Sequence, residues 1–128
     1  MKKTIHTEFA PKAVGPYSQA VRMGDFLFCS GQISIDPKTQ VVFTGDIKTQ
    51  TEIVLNNIEA LLKCQDLNFS HIIKTTIFLT NMSDFANVNE IYAKRFEHEP
   101  PARSTVAVVG LPKGVNVEIE VLANFAAV

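Results

Sequence analysis

Apolar residues recur at three- and four-residue spacing in the middle of this chain and alternate with polar ones elsewhere, and the change of period marks out its elements. Ile47, Thr51, Val54, Leu55, Ile58, Leu61 and Leu62 make one stripe, which predicts an amphipathic helix. Asp46 stands at its start, where a carboxylate oxygen accepts a free backbone N–H. Lys48, Glu52, Glu59 and Lys63 fall mostly off the stripe. A second helical face follows in Phe85, Val88, Asn89, Tyr92 and Phe96, after the capping side chains of Asn81-Met82-Ser83-Asp84. Pro100-Pro101 bars its continuation, because proline lacks the N–H and clashes with the preceding turn.

The rest reads as strand. Ser18 to Arg22 and Phe26 to Ser30 flank the short turn Met23-Gly24-Asp25, and Gly31 to Ile35 continues extended. Asp36-Pro37-Lys38-Thr39 is a turn or loop, with aspartate bonding its own backbone. Ile72 to Thr80 is rich in β-branched residues. Thr105 to Val109 and Val115 to Phe125 are read as a terminal hairpin across Gly110-Leu111-Pro112-Lys113-Gly114. In the last run Val115, Val117, Ile119, Val121, Ala123 and Phe125 face one way; Asn116, Glu118, Glu120, Leu122 and Asn124 face the other. The order of strands, helix, strand, helix and two strands predicts a mixed sheet with both helices on one face. The first set is expected under the helices. The second face, shared with Ser104, Val106 and Val108, is partly apolar and open, a reason to expect oligomerisation.

Composition narrows the classes. A chain of 128 residues is expected to be a single domain, 1–128, able to bury a core without disulfides or metal. A formal charge of -1 and scattered lysines and arginines argue against a nucleic-acid surface. The start has no apolar stretch after its two lysines, and no run approaches the length of a membrane span. Cys29 and Cys64, far apart, fit free thiols in a reducing cytoplasm. His6, His71 and His98 show no metal-ligand spacing, and Cys29 lies in an apolar strand rather than beside a group that would stabilise a thiolate. There is no phosphate-cradling glycine loop, and the phenylalanines sit at core spacing without a basic field around them.

The chemistry gathers at Arg103. It stands in Pro100-Pro101-Ala102-Arg103-Ser104, where the two prolines hold the chain extended. Its guanidinium matches a carboxylate in bidentate fashion. Glu118 and Glu120, two apart on the last strand, offer a carboxylate base. Two readings stay open: a cation for a substrate carboxylate with a base nearby, or an arginine in a structural ion pair with one of those glutamates.

Three separated segments then point one way. Gly15-Pro16-Tyr17-Ser18-Gln19-Ala20, Ser30-Gly31-Gln32-Ile33, and Pro101-Ala102-Arg103-Ser104 followed by Val117-Glu118-Ile119-Glu120 resemble, in this order and at this length, the RidA/YjgF family of reactive intermediate deaminases. Lys74 to Phe78 and Asp84 to Asn89 look like that family too, so the resemblance spans essentially the whole chain. It implies a chorismate-mutase-like α+β fold, a mixed six-stranded sheet with two helices on one face. It also implies a homotrimer whose sheets close into a barrel, with three clefts between subunits. The implied activity is that of a 2-iminobutanoate/2-iminopropanoate deaminase. It hydrolyses 2-imino acids or their enamine tautomers, released by pyridoxal-phosphate dehydratases, to 2-keto acids and ammonia, with no cofactor of its own. A non-catalytic 2-keto acid sensor of the same fold is the alternative; a ribonuclease or translation inhibitor is disfavoured by the balanced charge.

The resemblance also carries roles. Arg103 corresponds to the carboxylate clamp, Glu118 to the glutamate that positions the attacking water, and Tyr17 to a cleft tyrosine that bonds substrate or helps expel ammonia. Ser30 and Gly31 match the loop whose backbone faces the ligand, where glycine permits close approach. Asn89 matches a family position, beside a plain helix-face role. Glu120 is a further carboxylate or a barrel-lining charge. Thr105 departs from the many deaminating members that carry cysteine there. Threonine serves if that position acts through its N–H; if the side chain shapes the cleft, the substrate range differs.

Overall fold

The computed structural model describes all residues, Met1–Val128. Six strands, β1 (Lys3–Ile5), β2 (Ala20–Met23), β3 (Phe26–Gln32), β4 (Ile72–Leu79), β5 (Ala102–Ala107) and β6 (Val117–Asn124), form one sheet. Two helices, α1 (Ile47–Lys63) and α2 (Phe85–Ala93), cross between them. The spatial order is β1-β2-β3-β6-β4-β5, antiparallel throughout except for the parallel pair β4 and β5.

Helix α1 begins as its sequence dictates. The Asp46 carboxylate accepts the Thr49 N–H and hydroxyl, each at 2.9 Å. Those bonds hold its carboxyl below the ordinary range. Val54, Leu55, Ile58, Leu61 and Leu62 are buried against Val117, Ile119, Val121 and Ala123 of β6 and Leu27 of β3 in one core cluster. The alternation of β6 is thus resolved as expected, with its apolar set under the helices. Val88, Ile91 and Tyr92 are the buried face of α2. Phe96, beyond that helix, stacks on Tyr92 with ring centroids 4.4 Å apart.

The terminal hairpin does not form. β5 pairs only with β4, in parallel, and β6 runs antiparallel between β3 and β4. Burial explains the exchange. β6 alternates deeply buried residues and takes a central place, whereas β5 has no buried residue and takes the edge. The 110–114 segment therefore crosses from one flank of β4 to the other. β1, with no pattern of its own, adds a sixth strand at the opposite edge.

Two buried polar side chains on α1 fix the loops above the sheet. Gln50 Nε2 donates to Asn116 Oδ1 at 3.0 Å, and Asn116 N–H donates to Gln50 Oε1 at 2.9 Å. Asn57 donates to the Ile35 carbonyl at 2.9 Å. The sheet face away from the helices is open, with Phe28 51 % and Val106 42 % exposed.

Candidate active site in two halves

The first half grows from an irregularity between β3 and β6. Cys29 is opposite Val121 and Gln32 is opposite Ile119, so Ser30 and Gly31 together face the single residue Glu120. This is a β-bulge, a device that re-aims side chains beside sites. It brings the Gly31 backbone against Glu118. A Cβ at Gly31 would overlap that carboxylate and lie 2.9 Å from its carboxyl carbon, so only glycine leaves room for it. Ser30 is tied to the preceding segment: its N–H donates to the Gln19 carbonyl at 2.9 Å and its hydroxyl to the Ser18 carbonyl at 2.6 Å.

Glu118 is half-buried, and its carboxyl is pushed above the ordinary range, first by burial and then by the neighbouring Glu120 carboxylate. It lines a cavity of about 710 Å³ with Tyr17, Ser30, Gly31 and Gln32. Tyr17 is 54 % exposed at that cavity rather than packed in the core. Glu120 stands exposed on the same sheet face, opposite Thr76. The buried Gln19 carboxamide accepts the Thr7 N–H at 2.7 Å and donates to the Pro11 carbonyl at 2.8 Å, pinning the wall above.

The second half lies on the other side of the sheet. Arg103 is in register with the buried Thr75 of β4 and so shares the helix-facing side. Its Nη1 donates to Asn89 Oδ1 of α2 at 2.7 Å. The guanidinium carbon lies 5.0 Å from the Tyr92 ring centre and 5.3 Å from that of Phe85, within cation–π range. Tyr92 is held in turn by a 2.8 Å hydrogen bond between its hydroxyl and that of Thr75. Arg103 has no ion pair; the chain's two are Lys48–Glu90 and Arg95–Glu52. Within one chain, register keeps Arg103 from pairing with Glu118 or Glu120. Thr105 follows on the same side, in register with Ile77, its hydroxyl oxygen buried without a hydrogen-bond partner.

Within one chain the expected residues thus fall into two groups. Tyr17, Ser30, Gly31 and Glu118 share the cavity, while Arg103, Asn89 and Thr105 share the β5 edge. Sequence reading did not single out Lys12 and Lys113, which also line the cavity; the positive φ of Lys113 between Pro112 and Gly114 is a local sign that could have drawn attention to it. Cys29 is buried, and burial, with a smaller contribution from Cys64, pushes its thiol up to about 12, which leaves it a poor nucleophile. No helix is long and apolar enough to cross a membrane.

An α+β sheet of this order thus carries a glycine bulge under a half-buried glutamate and, on its edge strand, an arginine held by Asn89. The chain belongs to the YjgF/RidA family: the family model described as Endoribonuclease L-PSP matches residues 7–125. It is 52% identical over 123 residues to a RutC family protein of Pyrococcus horikoshii, covering 96% of this chain and 98% of that one. It is 43% identical over 123 residues to the chloroplastic Reactive Intermediate Deaminase A of Arabidopsis thaliana, covering 96% of this chain and 66% of that protein. The crystal structure of E. coli TdcF with bound serine superposes with a TM-score of 0.89 at 42% identity, covering 95% of this chain and 98% of that one.

Proposed function

We propose that this protein is a cofactor-independent imine deaminase acting on 2-iminobutanoate and 2-iminopropanoate, or their enamine tautomers. Its site is a cleft between subunits of a homotrimer, with Arg103 supplied by one subunit and Tyr17, Ser30, Gly31 and Glu118 by the next. The observation that carries this reading is the unpaired guanidinium of Arg103, preset by Asn89 and stacked on Tyr92, on the face opposite an open cavity built around Glu118. A closed assembly lets each half complete the other. The partly apolar open sheet face gives that assembly a surface to bury.

The chemistry follows from the parts. Arg103 binds the substrate carboxylate through its free N–H groups and orients C2 of the imine in the cavity. A water held by the Glu118 carboxylate adds to C2, and Glu118 accepts its proton. The C2–N double bond becomes single, its electron pair passes to nitrogen, and the proton taken up by Glu118 neutralises it there, leaving Glu118 ionised again. From the resulting carbinolamine the C2–N bond breaks as the hydroxyl oxygen forms the keto group. The hydroxyl proton leaves with the nitrogen, through Glu118, Tyr17 or water. One imino acid and one water give one 2-keto acid and one ammonia. A carboxyl raised above its ordinary range is a better base for that step than an unperturbed one.

The name of the Arabidopsis relative supports deamination. The serine in the TdcF structure supports amino-acid-sized carboxylates as ligands, and equally supports the second reading, a sensor of the same fold that binds 2-keto acids without turnover. The formal charge of -1 favours both over endoribonuclease action. The deciding experiment couples a threonine dehydratase to this protein and follows 2-ketobutyrate release against a semicarbazide trap. Accelerated release that is lost in Arg103→Ala supports the deaminase; binding of 2-ketobutyrate without acceleration supports the sensor.

A further inference from the structure

The cavity beside Glu118 measures about 710 Å³. In the single chain that lies within the roughly 300–1,000 Å³ that enclose a drug-sized ligand, more than a three- or four-carbon acid fills. Lys12 and Lys113 line it, and Glu118 is the one acidic residue in its wall. Neither lysine belongs to either of the chain's ion pairs.

Both lysines are placed by a constrained backbone. Lys113 is fixed at φ 58 and ψ 22 between Pro112 and Gly114, whose φ is 74. Lys12 follows the segment pinned by the Gln19 carboxamide, and its N–H donates to Gln40 Oε1 at 3.3 Å. Gln40 has φ 63 and lines the same cavity. Of the four non-glycine residues with positive φ, two therefore border this one space, and backbone strain of that kind collects at ligand sites.

We propose that Lys12 and Lys113 form a second anion subsite, and that the site takes imines of 2-amino dicarboxylic acids. The distal carboxylate lies with the lysines while Arg103 holds the α-carboxylate, an assignment that rests on the intersubunit cleft described above. Cationic side chains at the two ends of an extended dianion give it an advantage over a monoacid, which leaves the second subsite empty.

Calorimetric titration with two stable keto acids tests this. 2-Ketobutyrate reports the α-carboxylate site and 2-ketoglutarate reports both. The wild type is expected to bind 2-ketoglutarate about tenfold tighter than 2-ketobutyrate. In Lys12→Gln/Lys113→Gln that ratio is expected to fall to about one or below; both lysines are exposed, so the fold survives the change. Equal affinities in the wild type, or a ratio the double variant does not alter, overturn the subsite and leave the cleft standing. Failure of 2-ketobutyrate itself to bind overturns the cleft, and this proposal with it.

Discussion

Arg103 and Glu118 lie on opposite faces of the same sheet. Arg103 registers with the buried Thr75 and Glu118 with Phe78, three residues along β4 and therefore on its other side. No side-chain rotation brings them together within one chain. If the reaction needs both, two chains must contribute, and inactive subunits should complement. Arg103→Ala and Glu118→Gln are each expected to be inactive alone. Unfolded together, mixed in equal amounts and refolded, they should regain about a quarter of wild-type activity, since random assembly gives that share of clefts both native residues. Mixed assemblies that stay inactive would place the clamp and the base in separate functions.

The bond from Arg103 to Asn89 Oδ1 fixes the clamp before substrate arrives. Hydrogen bonds to charged groups contribute about 1.5–3 kcal/mol. Asn89→Ala should therefore lower kcat/KM by roughly 10- to 100-fold, mostly through KM, with little change in Tm because Asn89 lies at a partly exposed rim. Asn89→Asp should do further harm at low ionic strength, since a carboxylate there competes for the guanidinium; added salt should relieve part of that loss. An unchanged KM in both variants would reduce Asn89 to a helix-surface residue.

Gly31 shows its role by what it excludes. The carboxylate of Glu118 occupies the space a methyl group would take. The obstacle is the end of a flexible side chain, so Gly31→Ala should fold, with Glu118 displaced. A displacement of an ångström at a reacting group costs about 100-fold in rate. The expected result is a kcat loss of that order with near-native thermal unfolding. Native kcat in this variant would mean that Glu118 does not need its place over the bulge.

Local pattern carried much of this fold because its decisive features are local. The α1 stripe, the Asp46 cap and the alternation of β6 each follow from neighbours within a few residues, and each stands in the structure as read. Strand order does not follow from neighbours. That β6 takes the centre of the sheet and β5 its edge depends on how much side chain each strand buries in the assembled sheet, and adjacency in sequence suggested the hairpin instead. The polar residues that hold the site, Gln19, Gln50 and Asn57, escaped notice for a related reason. Their partners are distant carbonyls and amides, so nothing beside them marks them as buried. The site residues came from the order of short motifs, and the face on which Arg103 lies was left to the register of its strand, which only the assembled sheet fixes.

Glu118 gives the molecule a pH signature of definite sign. Burial, and then Glu120, raise its carboxyl above the ordinary value of 4.5. The folded chain thus holds this proton more tightly than the unfolded chain does. Its favourable contribution is complete below the ordinary value and is lost as pH rises through the raised one. Glu118→Gln should therefore raise Tm at pH above the raised value, where the buried carboxylate is charged, and give no gain below the ordinary value, where it is already protonated. Catalysis runs the other way. A base must be ionised, so kcat/KM should fall on the acid side with a midpoint above the ordinary carboxylate range. Glu120→Gln removes the second cause and should move that midpoint down. Because Glu120 is exposed, the shift should be small and should shrink with added salt. An acid limb at the ordinary carboxylate value, unmoved by Glu120→Gln, would mean that Glu118 is not the group that titrates in the reaction.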